Sequence, residues 1–185
     1  MEDIEQLAEE FLAQVPNYVW DGETLPVPIE AIADTHVGLL VRDVDDLGAA
    51  PGAPELGEGQ ALSGLLLPAL GEIWVNAGEA REWPPRRRFT IAHELGHWNL
   101  HRHDQSVFCR SSMIEPETTR QLAGLPPREE EANIFGAAVL MPARLISDQY
   151  VRCDRDFARL CERFGASGAA MGRRLHVVIK PGGAE

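Results

Sequence analysis

Two histidines, His93 and His97, constrain the sequence more than any other feature. They flank Glu94 in the pattern His-Glu-x-x-His, within a stretch that reads as uninterrupted helix. Side chains four positions apart lie on one face of an α-helix, so both imidazoles could bind one metal ion. Glu94, roughly 100° around the helix from His93, could reach a water on that metal, as in zinc hydrolases. In the alternative interpretation the histidines belong to an ordinary core helix and Glu94 caps it or faces solvent, but the helical context argues against this.

The helix that carries this motif is predicted to begin at Pro84, because a missing N–H costs nothing in the first turn, and to continue to about His101. Its apolar residues form a second face beside the histidines, so the helix should be buried on two sides. His101, one turn beyond His97, would either support a ligand or contact a substrate. His103 stands where some proteases have a third histidine ligand, but that pattern needs glycine at position 100, which is leucine here. We therefore predict that His103 is a solvated loop residue.

The composition is ordinary for one globular domain, with 185 residues, 44% of them hydrophobic and 25% charged. We expect a single domain over residues 1–180, with a mobile loop at 48–61 and a tail at 181–185. The formal net charge of −12 argues against direct nucleic-acid binding, which requires a basic surface. The best candidate for a local basic patch is Arg81 together with 86–88.

The sequence shows no sign of a membrane or secreted protein. No apolar run approaches the length of a membrane span, and the acidic N-terminus lacks the layout of a secretory signal. Three cysteines, Cys109, Cys153 and Cys161, are odd in number and are not spaced as paired metal ligands, so free thiols are expected. These features predict a cytoplasmic protein.

Hydrophobic periodicity predicts an α+β fold, in which a sheet of about three strands packs on the motif helix and on a second helix from Arg128 to Met141. The other predicted elements are helices at 3–15 and 29–35, strands at 37–44, 62–67 and 72–76, a polar irregular segment from His101 to Pro127, and two short helices within 154–175. The strand at 72–76 is expected to be a sheet edge beside the site, to which an extended substrate could add. In the alternative, its own loop covers that edge.

The two C-terminal helices, broken at Gly165, superficially suggest a helix-turn-helix. Asp154, Asp156 and Glu162 make the first of them a poor neighbour for phosphate. We therefore expect the pair to pack around the core.

A catalytic zinc needs a third protein ligand, and the second helix begins with three glutamates that could also serve only its dipole. Glu129 shares a helix face with small residues that would let another helix come close, whereas Glu131 shares its face with apolar residues typical of core packing. We therefore favour Glu129. Asn133, one turn later, would either hydrogen-bond a ligand imidazole or be a simple buried polar group.

Two stretches of the chain together resemble the ImmA/IrrE metallopeptidases. Residues 88–97 read Arg-Phe-Thr-Ile-Ala-His-Glu-Leu-Gly-His, and residues 129–142 read Glu-x-Glu-Ala-Asn-x-Phe-x-Ala-x-x-Leu-Met-Pro. Weaker similarity covers Leu25 to the first strand and Arg163 to Leu175. The resemblance implies a small thermolysin-like, zincin-type protease, often encoded beside a helix-turn-helix repressor that it cleaves, in phage, mobile elements or stress regulation.

In that pattern Zn²⁺ would be held by His93, His97 and the glutamate matching Glu129, with Glu94 as the base. Gly136 stands where alanine is usual, and the segment from His97 to Glu129 is long, so Glu131 stays open as the third ligand.

The mechanism implied is hydrolysis of a peptide bond. Zinc lowers the pKa of its bound water, Glu94 accepts a proton as water attacks the carbonyl, and the proton then passes to the leaving amine. The candidates for a further donor to the oxyanion are His101, Tyr150, Arg174 and His176. The alternative function is a non-proteolytic regulator that keeps the metal for folding or sensing and binds a transcription factor. The intact Glu94 favours the protease, because a structural site has no use for a base.

Overall fold

The structure is a computed structural model that describes residues 2–51, 53, 62–102 and 126–179. Within them lie three strands and eight α-helices, which confirms the predicted α+β fold. The strands are β1 (Leu40–Val44), β2 (Gly64–Leu67) and β3 (Glu72–Asn76). The helices are α1 (Glu2–Ala13), α2 (Ile29–Ala31), α3 (Ala77–Glu82), α4 (Pro84–His101), α5 (Pro127–Leu140), α6 (Ala143–Arg152), α7 (Phe157–Phe164) and α8 (Gly168–Val178).

The sheet is mixed, with the strand order β1-β3-β2. β1 runs parallel to β3, with Leu40 opposite Glu72, and β2 runs antiparallel to β3, with Gly64 opposite Val75. The prediction that residues 72–76 form a sheet edge is therefore wrong, because β3 is the central strand and its hydrogen-bonding groups face neighbours on both sides. β2 is the outer strand nearest the histidines, and all four of its residues are buried.

The first strand begins later than predicted. A π-helical segment, Ile32–Val37, continues α2 and ends at Gly38, whose φ of 82° is left-handed. The Leu39 amide then donates to the Ala33 carbonyl at 2.9 Å. Residues 37–39, predicted to begin the strand, therefore belong to this helix and its C-terminal cap.

Helices α4 and α5 form the centre of the molecule and approach each other through small residues. A Cβ on Gly96 would lie 3.0 Å from the Cα of Ala132, and one on Gly136 would lie 3.0 Å from the backbone N of His93. On its other side α5 carries Phe135, which is buried against the ring of Phe11 from α1, with 5.6 Å between centroids. The small face of α5 predicted from sequence therefore packs on the helix that carries the histidines.

The C-terminal helices pack on this core, as expected. Gly165, with a φ of 59°, ends α7, and both helices turn apolar residues inward, among them Phe164 and Met171. Arg174 of α8 is buried as well. It donates from Nε to the Met141 carbonyl at 2.8 Å and forms a two-pronged ion pair with Glu5 of α1, one arm at 2.8 Å.

The arginines proposed as a local basic patch are engaged within the protein. Arg81 pairs with Asp45 and Arg86 with Glu79. Arg87 pairs with both Glu30 and Asp43, which raises its pKa. Arg88 donates to the Val27 carbonyl at 2.6 Å, and burial lowers its pKa. Arg86 thus links α4 to α3, and Arg87 links α4 to α2 and to β1.

The free cysteines of the described region are Cys153, which is buried, and Cys161, which is partly buried. Several features singled out in the sequence lie outside the described residues. They are Cys109, His103, the tail at 181–185, most of the loop at 48–61 and nearly all of the segment from His101 to Pro127. None of the helices in the described ranges combines the length and apolar character needed to cross a membrane.

Candidate metal centre

Three side chains from two helices converge on one point. The ligand atoms of His93, His97 and Glu129 all lie within 4.8 Å of one another. The Nε2 atoms of the two histidines are 2.9 Å apart, and the two carboxylate oxygens of Glu129 lie 3.3 Å from His93 Nε2 and 3.4 Å from His97 Nε2. Both imidazoles are fully buried, whereas 18% of the Glu129 side chain is exposed. The cluster is thus fully buried at the two imidazoles and partly exposed at the carboxylate.

The convergence follows from the helices. His93 and His97 occupy successive turns of α4, so their rings project from one face. Glu129 lies in the first turn of α5, and the contact between Gly136 and the backbone of His93 brings α5 close enough for its carboxylate to reach both rings. Two nitrogens and one carboxylate oxygen are the donor set of many catalytic zinc sites, so the residues present fit a zinc ion.

The electrostatics of the cluster favour positive charge at its centre. Burial alone would raise the pKa of Glu129, but hydrogen bonds and charge from His93 and His97 lower it to about 2. Burial lowers the pKa of His93, yet Glu129 and Glu94 outweigh it and the net shift is upward. For His97 burial prevails and the pKa is lowered. An ionised carboxylate facing two imidazoles would stabilise a cation bound among them.

Asn133 lies where the sequence analysis placed it, one turn after Glu129. Its Oδ1 is 3.0 Å from His93 Nδ1. An Asn oxygen can only accept, so this contact favours the neutral tautomer with the proton on Nδ1, in which the Nε2 lone pair faces the centre of the cluster. His97 Nδ1 is buried and has no such partner within the described ranges. The two imidazoles are therefore held unequally.

Glu94 points from α4 toward β2 and is fully buried. Burial raises its pKa to about 8, with His93 opposing the shift. The Leu66 amide stabilises the carboxylate slightly but is not in hydrogen-bond geometry, and neither oxygen has a hydrogen-bond partner among the described residues. A carboxylate this poorly solvated holds a proton more readily than a surface glutamate does.

Of the four candidate oxyanion donors, His101 alone contacts the cluster within the described region. Its ring centroid is 5.4 Å from that of His97, and 6% of the residue is exposed. Arg174 is bound to Glu5 and Met141, and His176 is exposed on α8. Tyr150, half-buried on α6, has no hydrogen bond, ion pair or ring contact with the cluster.

The structure separates the two glutamates between which the sequence left a choice. Glu131 lies on another side of α5 with its side chain 43% exposed, and its Oε2 is 3.5 Å from His101 Nε2. The expectation that Glu131 packs in the core is therefore wrong. His93, His97 and His101 form a stripe along one face of α4, and the Glu131 carboxylate lies beside its last member, His101.

One residue beside Glu94 was missed in the sequence. Gly64 of β2 lies against Thr90 and Glu94, with no room for a side chain. A glycine inside an apolar strand is the available signal, since it often marks the close approach of another part of the chain.

The chain resembles known proteins in both sequence and fold. Residues 72–176 match the family model Peptidase_M78, the IrrE N-terminal-like domain. Over 88 residues the chain is 34% identical to the radiation response metalloprotease IrrE of Deinococcus radiodurans, a segment that is 48% of this chain and 22% of that protein. A solved structure, a Mycobacterium tuberculosis transcriptional regulator, matches 95% of this chain and 47% of its own with a TM-score of 0.58 at 20% identity, which shows the fold alone. This chain therefore spans less than half the length of either protein.

Proposed function

Because this chain belongs to the IrrE N-terminal-like, or Peptidase_M78, family, we propose that it is a zinc-dependent endopeptidase acting on a transcriptional regulator. The observation that carries the proposal is the convergence of His93 and His97 Nε2, 2.9 Å apart, with the Glu129 carboxylate from a second helix. The two ring nitrogens and the carboxylate oxygens together supply the donor set that a catalytic zinc ion takes from a protein.

In the proposed site, His93, His97 and Glu129 hold the metal and Asn133 orients His93. Zinc bound there would supply Lewis-acid polarisation of the peptide carbonyl and acidify a water. The chemistry of the zinc hydrolases needs three protein ligands and one open position, and the partly exposed Glu129 side supplies the access.

Glu94 is the proposed general base. Its carboxylate accepts a proton from the attacking water and then delivers it to the nitrogen of the leaving amine, so it returns to its starting state. The raised pKa of about 8 describes the side chain without a cation beside it, and a divalent ion nearby would favour its ionised form. His101 is the proposed contact for the substrate next to the scissile bond, because it continues the ligand stripe by one turn.

The proposed substrate is a helix-turn-helix repressor encoded beside the gene. The name of the Deinococcus relative, a metalloprotease of radiation response, and that of the mycobacterial structure, a transcriptional regulator, support a regulatory role. Substrate pairing with β3 is ruled out because both sides of that strand are occupied. Among the described strands, β2 lies next to Glu94. An extended substrate could pair with β2 only where the outer edge of that strand is not covered by another part of the chain.

The test is cleavage by wild type and by Glu94→Gln, which keeps the size and hydrogen bonding of the side chain but cannot accept the proton. Each is co-expressed with the neighbouring repressor, and the repressor's length and promoter activity are followed. We expect wild type to cut the repressor and relieve repression, and the variant to hold zinc but cleave roughly 10²–10⁴-fold more slowly.

A second candidate function is binding of the regulator without cleavage, with the metal serving folding or sensing. It predicts that Glu94→Gln relieves repression as well as wild type does while the repressor stays intact. That result would replace the protease proposal.

A further inference from the structure

The contact between β2 and α4 draws attention to Gly64, to which neither the motif nor the family resemblance gives a role. β2 runs along α4 so that Ser63 meets Arg86 while Gly64 meets Thr90 and Glu94. A Cβ on Gly64 would lie 2.2 Å from Thr90 Cγ2 and 3.4 Å from Glu94 Oε1. Since real Cβ atoms essentially never come within 3.0 Å of another heavy atom, any larger residue would force Thr90 Cγ2 to move, whereas 3.4 Å from Glu94 Oε1 is ordinary van der Waals contact.

The strand is not free to retreat from the helix. On the sheet side, the Asn76 amide donates to the Ser63 carbonyl at 2.9 Å, and its side chain donates to the Leu62 carbonyl at 3.3 Å. On the helix side, Arg86 Nη2 donates to Ser63 Oγ at 3.1 Å, and Arg86 is itself paired with Glu79 at 3.0 Å. A side chain at position 64 would therefore displace Thr90, which lies one turn before Glu94 on the same face of α4.

Glu94 is sensitive to such a displacement because little else fixes it. Its carboxylate is fully buried and accepts no hydrogen bond from the described part of the protein, so packing against its neighbours, Thr90 and β2 among them, sets its position. His93, His97 and Glu129 do not appear among the nearest neighbours of a Cβ at Gly64. The three atoms nearest to a side chain at position 64 thus include the proposed base and none of the proposed ligands.

We propose that Gly64 is a positioning residue. By allowing β2 to lie directly on Thr90 and Glu94, it holds the Glu94 carboxylate where it can act on the attacking water. The inference rests on the proposed function, in which Glu94 is the base, and adds the residue that sets the place of that base.

The test uses Gly64→Ala, Thr90→Ser and the two combined, with repressor cleavage, metal content and Tm as readouts. Gly64→Ala should keep about one metal ion per chain and near-normal KM, but lose roughly 10–100-fold in kcat because the displaced Thr90 side chain pushes against Glu94. Thr90→Ser removes the clashing Cγ2 and should by itself be close to wild type. The double variant should regain most of kcat.

Stability gives a readout that does not depend on cleavage. Overpacking in Gly64→Ala should lower the Tm of the metal-free protein by roughly 2–10 °C, and Thr90→Ser should restore it in the double variant. Gly172→Ala is the matched control, because a Cβ there meets nothing within 4 Å, and it should leave both Tm and kcat unchanged.

The decisive comparison is made in the Glu94→Gln background. If Gly64 acts through Glu94, adding Gly64→Ala to Glu94→Gln should change the residual rate by less than about twofold, since the interaction is already removed. A full 10-fold further loss overturns the positioning role, and so does wild-type kcat in Gly64→Ala or failure of Thr90→Ser to restore kcat.

Two further outcomes keep this inference separate from the proposed function. Wild type that cleaves no repressor refutes the proposed function and takes the positioning role with it, whereas an active wild type with an equally active Gly64→Ala refutes the positioning role alone. Should Gly64→Ala not fold, the folded double variant decides: wild-type kcat supports the proposal, and a tenfold lower kcat overturns it.

Discussion

Single residues in the cluster take their roles from small differences in placement. Glu129 and Glu131 are two positions apart on α5, yet one carboxylate lies beside both His93 and His97 while the other lies 3.5 Å from His101. Two positions correspond to roughly 200° around a helix, so the two side chains face different parts of α4. One glutamate carboxylate thus lies beside two imidazoles, and the other lies beside the single imidazole of His101.

Exchange of these two glutamates for alanine should give different results. Glu129→Ala removes one of three proposed ligands and should abolish stoichiometric zinc binding, as measured by metal analysis after dialysis. Glu131→Ala is the matched control and should bind zinc normally, with a stability change of less than about 1 kcal/mol, because its pair with His101 is half-exposed. The reverse pattern would move the ligand to Glu131.

At the scale of elements, the close approach of α4 and α5 decides whether the cluster forms. The small residues Gly96, Ala132 and Gly136 let the two backbones come together. His93 is part of this contact, because its backbone N lies against Gly136. β2 closes the other side of α4 over Thr90 and Glu94. The proposed ligands and the proposed base therefore depend on two different contacts of one helix.

A large side chain at position 136 should separate the helices. Gly136→Leu places a branched group within 3.0 Å of the His93 backbone, and we expect it to lower stability by roughly 1–3 kcal/mol or more and to weaken zinc binding strongly. Denaturant unfolding and metal titration measure the two effects. Gly172→Leu, in open space on α8, is the control and should bind zinc as wild type does. If Gly136→Leu bound zinc normally, the approach of α4 and α5 would not control the site.

At the scale of the whole molecule, distant segments of the chain are tied to the two central helices. α1 packs on α5 through Phe11, and Arg174 of α8 links Glu5 of α1 to the end of α5 at Met141. This clamp joins the two ends of the described chain at the core.

The clamp makes a prediction for stability. Glu5→Ala would leave the buried Arg174 without its counter-ion and should destabilise the protein by roughly 3–5 kcal/mol, measured by urea unfolding. Glu9→Ala, on an exposed turn of the same helix, is the control and should change stability by no more than about 0.5 kcal/mol. Adding Arg174→Met to Glu5→Ala should recover part of the loss; no recovery would argue against an uncompensated charge as the cause.

Metal removal should also act on the whole molecule, because the proposed site joins α4 to α5. A ligand present at about 1,000 times its Kd stabilises the folded state by roughly 4 kcal/mol, so chelation should lower Tm by roughly 8–16 °C. Calorimetry with and without chelator measures this. His93→Ala and His97→Ala should have the low Tm already and show no chelator effect. A chelator-insensitive wild type would contradict a metal bound at this cluster.

The sequence by itself determined what depends on local geometry. Because the spacing of side chains on a helix is fixed by its own backbone hydrogen bonds, His93 and His97 could be placed on one face without knowing the fold. The bounds of α4, and those of α5 to within one residue at each end, followed from prolines and apolar periodicity in the same way. Asn133 was placed one turn after Glu129 by the same argument.

Only the tertiary structure decided contacts between distant parts of the chain. Four features depend on how the helices and strands pack against one another. They are the order of the strands, the position of Glu129 rather than Glu131 beside the histidines, the burial of Arg174, and the contact of Gly64 with Glu94. Periodicity states which face of an element is buried but not what it is buried against. That partner is set by packing, in which the presence or absence of one Cβ atom can decide whether two backbones come into contact.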